Sequence, residues 1–180
     1  MTILKRLVKF FFVFVITLAS SCSFNSIIPF NKKSVQKPSV SNKSLIVRNV
    51  RTTSYSHREK EKGGKYGALT ASGRRLRHGK IRSAGADWSL YPLGTKFRIV
   101  GQPHTYIIED YGRSLVGTKT IDIYKPTLRM MRSWGTRYVD IEVLEWGSFK
   151  ASADILKGRL QYNHVKRMYD AIMARYKLII

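Results

Sequence analysis

Five short segments alternate apolar and polar residues with a period of two: Leu45–Thr53, Thr95–Val100, Tyr106–Asp110, Thr118–Tyr124 and Tyr138–Glu145. A backbone that sends successive side chains to opposite faces reads as half-buried strand, and runs this short suit strands better than helices. In the last segment Val139, Ile141 and Val143 share one face, while Asp140 and Glu142 take the other. Pro92, Gly94, Gly101, Pro103 and Gly112 punctuate the interval as turn formers. Short strands separated by such turns predict a mainly β fold, a small barrel occupying residues 45–150.

Two helices interrupt or follow that pattern. Pro126 suits a first helical position, Leu128 to Trp134 continue it, and Gly135 can close it. Val165, Met168, Tyr169, Ile172, Met173 and Tyr176 form a continuous apolar stripe at helical spacing, set among Lys166, Arg167, Arg175 and Lys177. This predicts a C-terminal amphipathic helix within an extension over residues 151–180. Its stripe either packs on the barrel or lies on an anionic surface.

Ahead of the barrel, Lys5, Arg6 and Lys9 precede the apolar run Phe10–Leu18, and Ala19-Ser20-Ser21 supplies small residues. A run this short falls well below the about twenty residues needed to cross a bilayer, so residues 1–22 predict a signal peptide and an exported protein. Cys22 is the only cysteine. It cannot form an internal disulfide, and its position after small residues resembles the lipidation site of bacterial lipoproteins. Leu18 stands four residues before it instead of the usual three. Lipidation of Cys22 with membrane attachment, ordinary cleavage and a retained anchor are the three readings. Residues 23–44, rich in Ser, Asn, Lys and Pro with apolar residues scattered, read as a flexible tether.

The chain carries 33 Lys+Arg against 11 Asp+Glu, a net charge of +22. Without residues 1–21 there are 30 cations against 11 anions, a net +19. Such a charge draws polyanions. An exported protein meets wall carboxylates, lipopolysaccharide phosphates and acidic lipids, so an anionic envelope surface is the expected partner rather than nucleic acid.

Three aspartates stand beside glycine turns or in strands. Asp87 follows Gly85-Ala86, Asp110 ends an apolar strand before Tyr111-Gly112, and Asp122 lies inside Ile121-Asp122-Ile123-Tyr124. A carboxylate between β-branched neighbours projects away from the core they fill. In a cleft, partial desolvation would suit it to general-acid work. Turn capping for Asp87 and Asp110, and a salt bridge for Asp122, are the plainer roles, and composition alone favours them.

Thr70-Ala71-Ser72-Gly73, Ala84-Gly85-Ala86-Asp87, Tyr91-Pro92-Leu93-Gly94-Thr95-Lys96-Phe97, Ile108-Glu109-Asp110-Tyr111-Gly112, Gly117 and Ile121-Asp122-Ile123-Tyr124 follow one another in order. Together they resemble the three-aspartate (3D) domain of bacterial wall proteins, over about residues 51–146. The Asp-Ile-Tyr triplet also looks like the catalytic barrel of membrane-bound lytic transglycosylase A. Tyr111-Gly112 departs from the usual Thr-Gly or Val-Gly, and Gly85 replaces a common Ala.

The resemblance implies a six-stranded double-psi β-barrel. It also implies lytic transglycosylase action on peptidoglycan glycan strands, cutting the MurNAc–GlcNAc β-1,4 bond to a 1,6-anhydro sugar without water; no cofactor or metal is expected. The alternative is a non-catalytic glycan-binding envelope module. Carried over by position, Asp122 is the implied acid/base and Asp110 the supporting carboxylate. Asp87, Thr70, Gly73 and Gly112 are implied substrate-binding or structural positions. Trp88, beside Asp87, is read as either a sugar platform or packing, and Trp134 and Trp146 as packing more readily than platforms. His57 and Glu59, two apart on an extended chain, point the same way and could touch substrate. The four histidines show no metal-ligand spacing. The run Arg74–Lys80 reads as a solvated basic loop, with wall carboxylates as its other partner.

Overall fold

The computed structural model of the chain describes residues 45–59 and 67–177. The expected signal segment, Cys22 and the tether lie outside the described residues. No described helix is long and apolar enough to cross a membrane.

Six strands close into a barrel: β1 (Leu45–Tyr55), β2 (Ile81–Gly85), β3 (Lys96–Ile99), β4 (Thr105–Asp110), β5 (Ile121–Tyr124) and β6 (Arg137–Glu145). The order around the barrel is β1-β5-β2-β4-β3-β6, with β1·β5 and β2·β4 parallel and the other pairs antiparallel. The mainly β reading therefore holds. Closure leaves no free sheet edge. β1 serves two partners in turn, pairing with β6 from Leu45 to Thr52 and with β5 from Thr52 to Tyr55. Between Val47 and Val50 its register shifts, and Asn49 takes a positive φ of 54° there. Asp140 secures this bulge by accepting from Asn49 N at 2.9 Å and from Arg48 Nη1 at 3.1 Å.

Five strands lie where alternation predicts them, with no end moved by more than three residues. β2 is the addition. Its sequence, Ile-Arg-Ser-Ala-Gly, offers one large apolar residue, and its three buried positions, Ser83, Ala84 and Gly85, are all small.

Three helices accompany the barrel: α1 (Leu128–Trp134), α2 (Phe149–Lys157) and α3 (Asn163–Lys177). Thr127, rather than Pro126, starts α1: its hydroxyl accepts from Met130 N, and Pro126 lies outside the helix. Gly135 closes α1 at φ 59°, as expected. α2 is not anticipated by the sequence reading. Ser148 caps it, and its Ser152 hydroxyl accepts from Leu93 N at 2.9 Å, fastening the helix to the β3 approach.

The stripe on α3 packs inward: Val165, Met168 and Ile172 are fully buried and share one core with Leu156, Phe97, Ile108, Ile121 and Ile141. Tyr169 is half-buried against that core and Met173 is exposed; the Tyr176 side chain lies outside the description. The apolar face of α3 is thus a core element, not a free membrane-seeking surface.

Gly147, between β6 and α2, shows how tightly this junction is built. A Cβ there would press on the backbone of Pro92, Leu93 and Thr95, all far closer than a real Cβ approaches. Gly147→Ala is therefore expected to destabilise the protein by about 1–3 kcal/mol, because backbone has to move. Urea denaturation of the two proteins checks it; equal midpoints would show that the turn yields freely.

Candidate active site

Asp122 and Asp110 come together through sheet register. Asp122 on β5 and Asp110 on β4 are both paired with Gly85 of β2, the strand between them. The two carboxyl-bearing strands are therefore two strand spacings apart, roughly 10 Å. The intervening residue has no side chain to fill the gap. An alanine Cβ at Gly85 would make only ordinary contacts, 3.5 Å from Asp110 backbone and from Leu115 Cδ1. The Ala-to-Gly departure is accordingly mild.

The surroundings of the two acids differ. The Asp110 carboxylate accepts from Ala71 N at 3.0 Å, Tyr111 N at 2.9 Å and the Tyr55 hydroxyl at 3.1 Å. Donors converging this way hold a carboxylate in one orientation. Asp122 is half-buried and its Oδ1 accepts from the Thr53 hydroxyl at 2.7 Å. Thr53 is also the register partner of Asp122 across the β1·β5 pair.

Tyr55 joins the two acids. Burial foremost, then the charges of Asp110 and Asp122, push its pKa well above the ordinary tyrosine value. It thus stays a protonated donor. Its ring lies 5.6 Å from that of Tyr124, whose hydroxyl shares a 2.8 Å hydrogen bond with His57 Nδ1. His78 meets the same Tyr124 edge-on at 6.4 Å. Burial, followed by Arg82 and Lys125, lowers the His78 pKa, so this ring favours the neutral form.

Tyr55→Phe removes one donor from Asp110 and leaves the ring packing intact. We expect a stability loss of about 1–3 kcal/mol, the usual range for stripping a partner from a charged group. Thermal unfolding checks it, and an unchanged midpoint would mean that water replaces the hydroxyl.

The other implied positions sort by contact. Asp87 is buried: Oδ1 accepts from Ser89 N and Oγ, and Oδ2 from Gly117 N at 2.7 Å. It pins two loops together, the structural side of its expected role. Trp88 is fully buried, donates from Nε1 to Asp110 O at 2.9 Å and stands edge-on to Tyr111. It supports the β4 end from inside and offers no platform to a sugar.

Thr70 is buried and organises the loop that presents Ala71 N to Asp110. Its hydroxyl bonds with Ser72 Oγ and accepts from Arg74 N, while its carbonyl accepts from Gly73 N. Gly73 turns there at φ 81°. Gly112 adopts extended backbone and starts the short 3₁₀ turn Arg113–Leu115.

Two expectations need correction. Residues after Ser56 turn instead of remaining extended, and Glu59 folds back to accept from Ser56 N at 3.0 Å. Glu59 and His57 do not run side by side because a turn, not a strand, carries them. The Arg74–Lys80 run is only partly solvated: Arg77 reaches inward to buried Glu109.

Arg159, past α2, was not singled out by any sequence pattern. Its Nη1 donates to Ala71 O at 2.9 Å and to the Tyr111 hydroxyl at 3.1 Å, bracing both residues whose amides hold Asp110. Trp134 is buried, whereas Trp146 is half-exposed and stacked at 14° on Tyr91.

Among the described residues no three His, Cys, Asp or Glu side chains converge as a metal site would require. A scan against protein-family models finds no match to this chain, and a search of curated proteins finds no similar sequence.

Proposed function

We propose that the protein is an exported bacterial envelope protein whose barrel, of double-psi form, is a peptidoglycan lytic transglycosylase. The two parallel pairs, β1·β5 and β2·β4, support the double-psi assignment. A signal peptide, periplasmic or outer-membrane residence and a lipid on Cys22 belong to the same proposal. So do the wall glycan and anionic envelope as partners. The observation that carries the enzymatic reading is the placement of Asp110 and Asp122 on either side of Gly85, with Tyr55 under the influence of both.

In this reading protonated Asp122 gives its proton to the glycosidic oxygen between MurNAc and GlcNAc. The C1–O bond breaks, and the C6 hydroxyl of the same MurNAc closes on C1. Its proton passes to ionised Asp122, so the acid is regenerated and no water is consumed. An ordinary glycosidase needs a second carboxylate as base or nucleophile. Here the nucleophile is tethered to the sugar, and proximity supplies part of the rate. Asp110, held by three donors, contributes fixed negative charge toward the cationic transition state. Thr53 keeps the Asp122 carboxyl in place.

Incubation of the purified full chain with peptidoglycan sacculi tests the proposal. Release of 1,6-anhydro-muropeptides, identified by mass, is the expected result. Products carrying an added water would replace transglycosylation with hydrolysis. Binding without release would favour the glycan-binding module, which the half-exposed Trp146 stacked on Tyr91 supports as a carbohydrate surface.

A further inference from the structure

Lys125 directly follows β5 and is 6 % exposed. Among the described residues its ammonium has no hydrogen-bond or ion-pair partner; it rests 4.4 Å from the centre of the Trp134 indole. Arg137 holds its guanidinium 4.5 Å from the same ring, donating from Nε to Trp134 O and from Nη2 to Ser133 O. The buried indole N–H of Trp134 has no acceptor. These groups, with Arg129, Met130 and Ser133, line a cavity of about 260 Å³ that contains no acid.

An ammonium without a counter-ion, in a cavity also lined by Arg129 and Arg137, leaves positive charge that one bound anion would offset. The cavity lies at the end of the two strands that carry Asp122 and its register partner Thr53, on the face opposite those two side chains. Lys125 lies three residues beyond Asp122, within about 10 Å of chain, and its backbone N–H donates to Tyr55 O at 2.8 Å. Ser54 Oγ, from the same stretch of β1, donates to Met131 O and fastens α1 there.

We propose that this cavity is an anion subsite that takes a carboxylate of the glycan strand, from the lactyl ether of MurNAc or from its peptide. The identity of the carboxylate rests on the transglycosylase reading; the anion site itself does not. Burial first, then Arg82 on β2 and Arg137 on β6, lower the Lys125 pKa to about 8. His78 and His104 also lie within electrostatic range, and no carboxylate offsets these cations. A bound anion favours the charged lysine, so affinity falls as pH rises through about 8.

The test follows the Trp134 indole N–H by two-dimensional NMR on the full chain in mild detergent, assigned by its loss in Trp134→Phe. Four probes are titrated: N-acetylmuramic acid, with a free lactyl carboxylate; N-acetylmuramyl-L-alanyl-D-isoglutamine, whose carboxylate is on the peptide; inorganic phosphate; and neutral N-acetylglucosamine. A saturable shift with either muramyl probe is expected, and which one acts identifies the source.

Lys125→Met, which keeps the stem packed on Trp134, should weaken binding roughly tenfold or more. Arg129→Gln, at an exposed position, should weaken it several-fold. Overturning results are no shift, a shift equal to that with N-acetylglucosamine, a shift with phosphate alone, or affinity unchanged in both variants. Carboxylate binding without cleavage of sacculi would sink the enzymatic reading and leave the subsite standing. Cleavage without binding would do the reverse.

Discussion

Asp122→Asn is expected to lower release of 1,6-anhydro-muropeptides by about 10²–10⁴-fold, the range that one general acid/base supplies. The substitution keeps the shape of the side chain, and its amide oxygen still accepts from the Thr53 hydroxyl. Folding should therefore be nearly unchanged while proton donation is lost. Product release from sacculi, followed by mass spectrometry beside a thermal-unfolding control, separates the two effects. Asp110→Asn should cost less activity, because Asp110 is assigned to fixed charge and not to proton transfer. If Asp110→Asn instead proves the more damaging, the two roles exchange. Wild-type rates in Asp122→Asn would remove Asp122 from the chemistry.

Arg77→Met should be the most destabilising of the substitutions considered, at about 3–5 kcal/mol. Glu109 is 1 % exposed. Its carboxylate takes Arg77 Nη2 at 2.5 Å and Nε at 3.3 Å, together with the Ser83 hydroxyl at 2.7 Å. Removing the guanidinium leaves a buried charge with a single hydroxyl, a large loss for a domain whose total stability is of order 5–15 kcal/mol. The double variant Arg77→Met/Glu109→Gln should recover most of it, since the uncompensated charge is gone. Denaturant midpoints for the single and double variants decide the matter. A loss under about 1 kcal/mol for Arg77→Met would mean that water reaches Glu109. The consequence extends to the site, because Glu109 immediately precedes Asp110 and its carbonyl accepts from Ser72 N.

Much of the barrel was legible because alternation is a local property. Val139, Ile141 and Val143 on β6 declare their shared face through two-residue spacing, and Ile141 and Val143 are buried. The α3 stripe declared itself in the same way at helical spacing. The strand β2 did not: its buried residues, Ser83, Ala84 and Gly85, are small, and small residues carry no hydrophobic period. α2 was missed for a related reason. Its necessity lies in Gly147 and Ser152 meeting the Pro92–Thr95 turn, some 50 residues earlier in the chain.

The candidate site divides along the same line. Composition offered turn capping to Asp87 and Asp110, a salt bridge to Asp122, and acid work to whichever of them faced a cleft. Barrel closure separated them, burying Asp87 among loop amides while setting Asp110 and Asp122 on the strands flanking Gly85. It also turned Arg77 inward to Glu109, and left Lys125 without an acid in a cavity lined by α1 and Arg137. Strand period, helix cap and stripe were determined by neighbours within four residues, which the sequence displays directly. Which carboxylates meet, and which cations find a partner, was decided only by register between distant strands, where closure of the barrel, not local preference, sets the geometry.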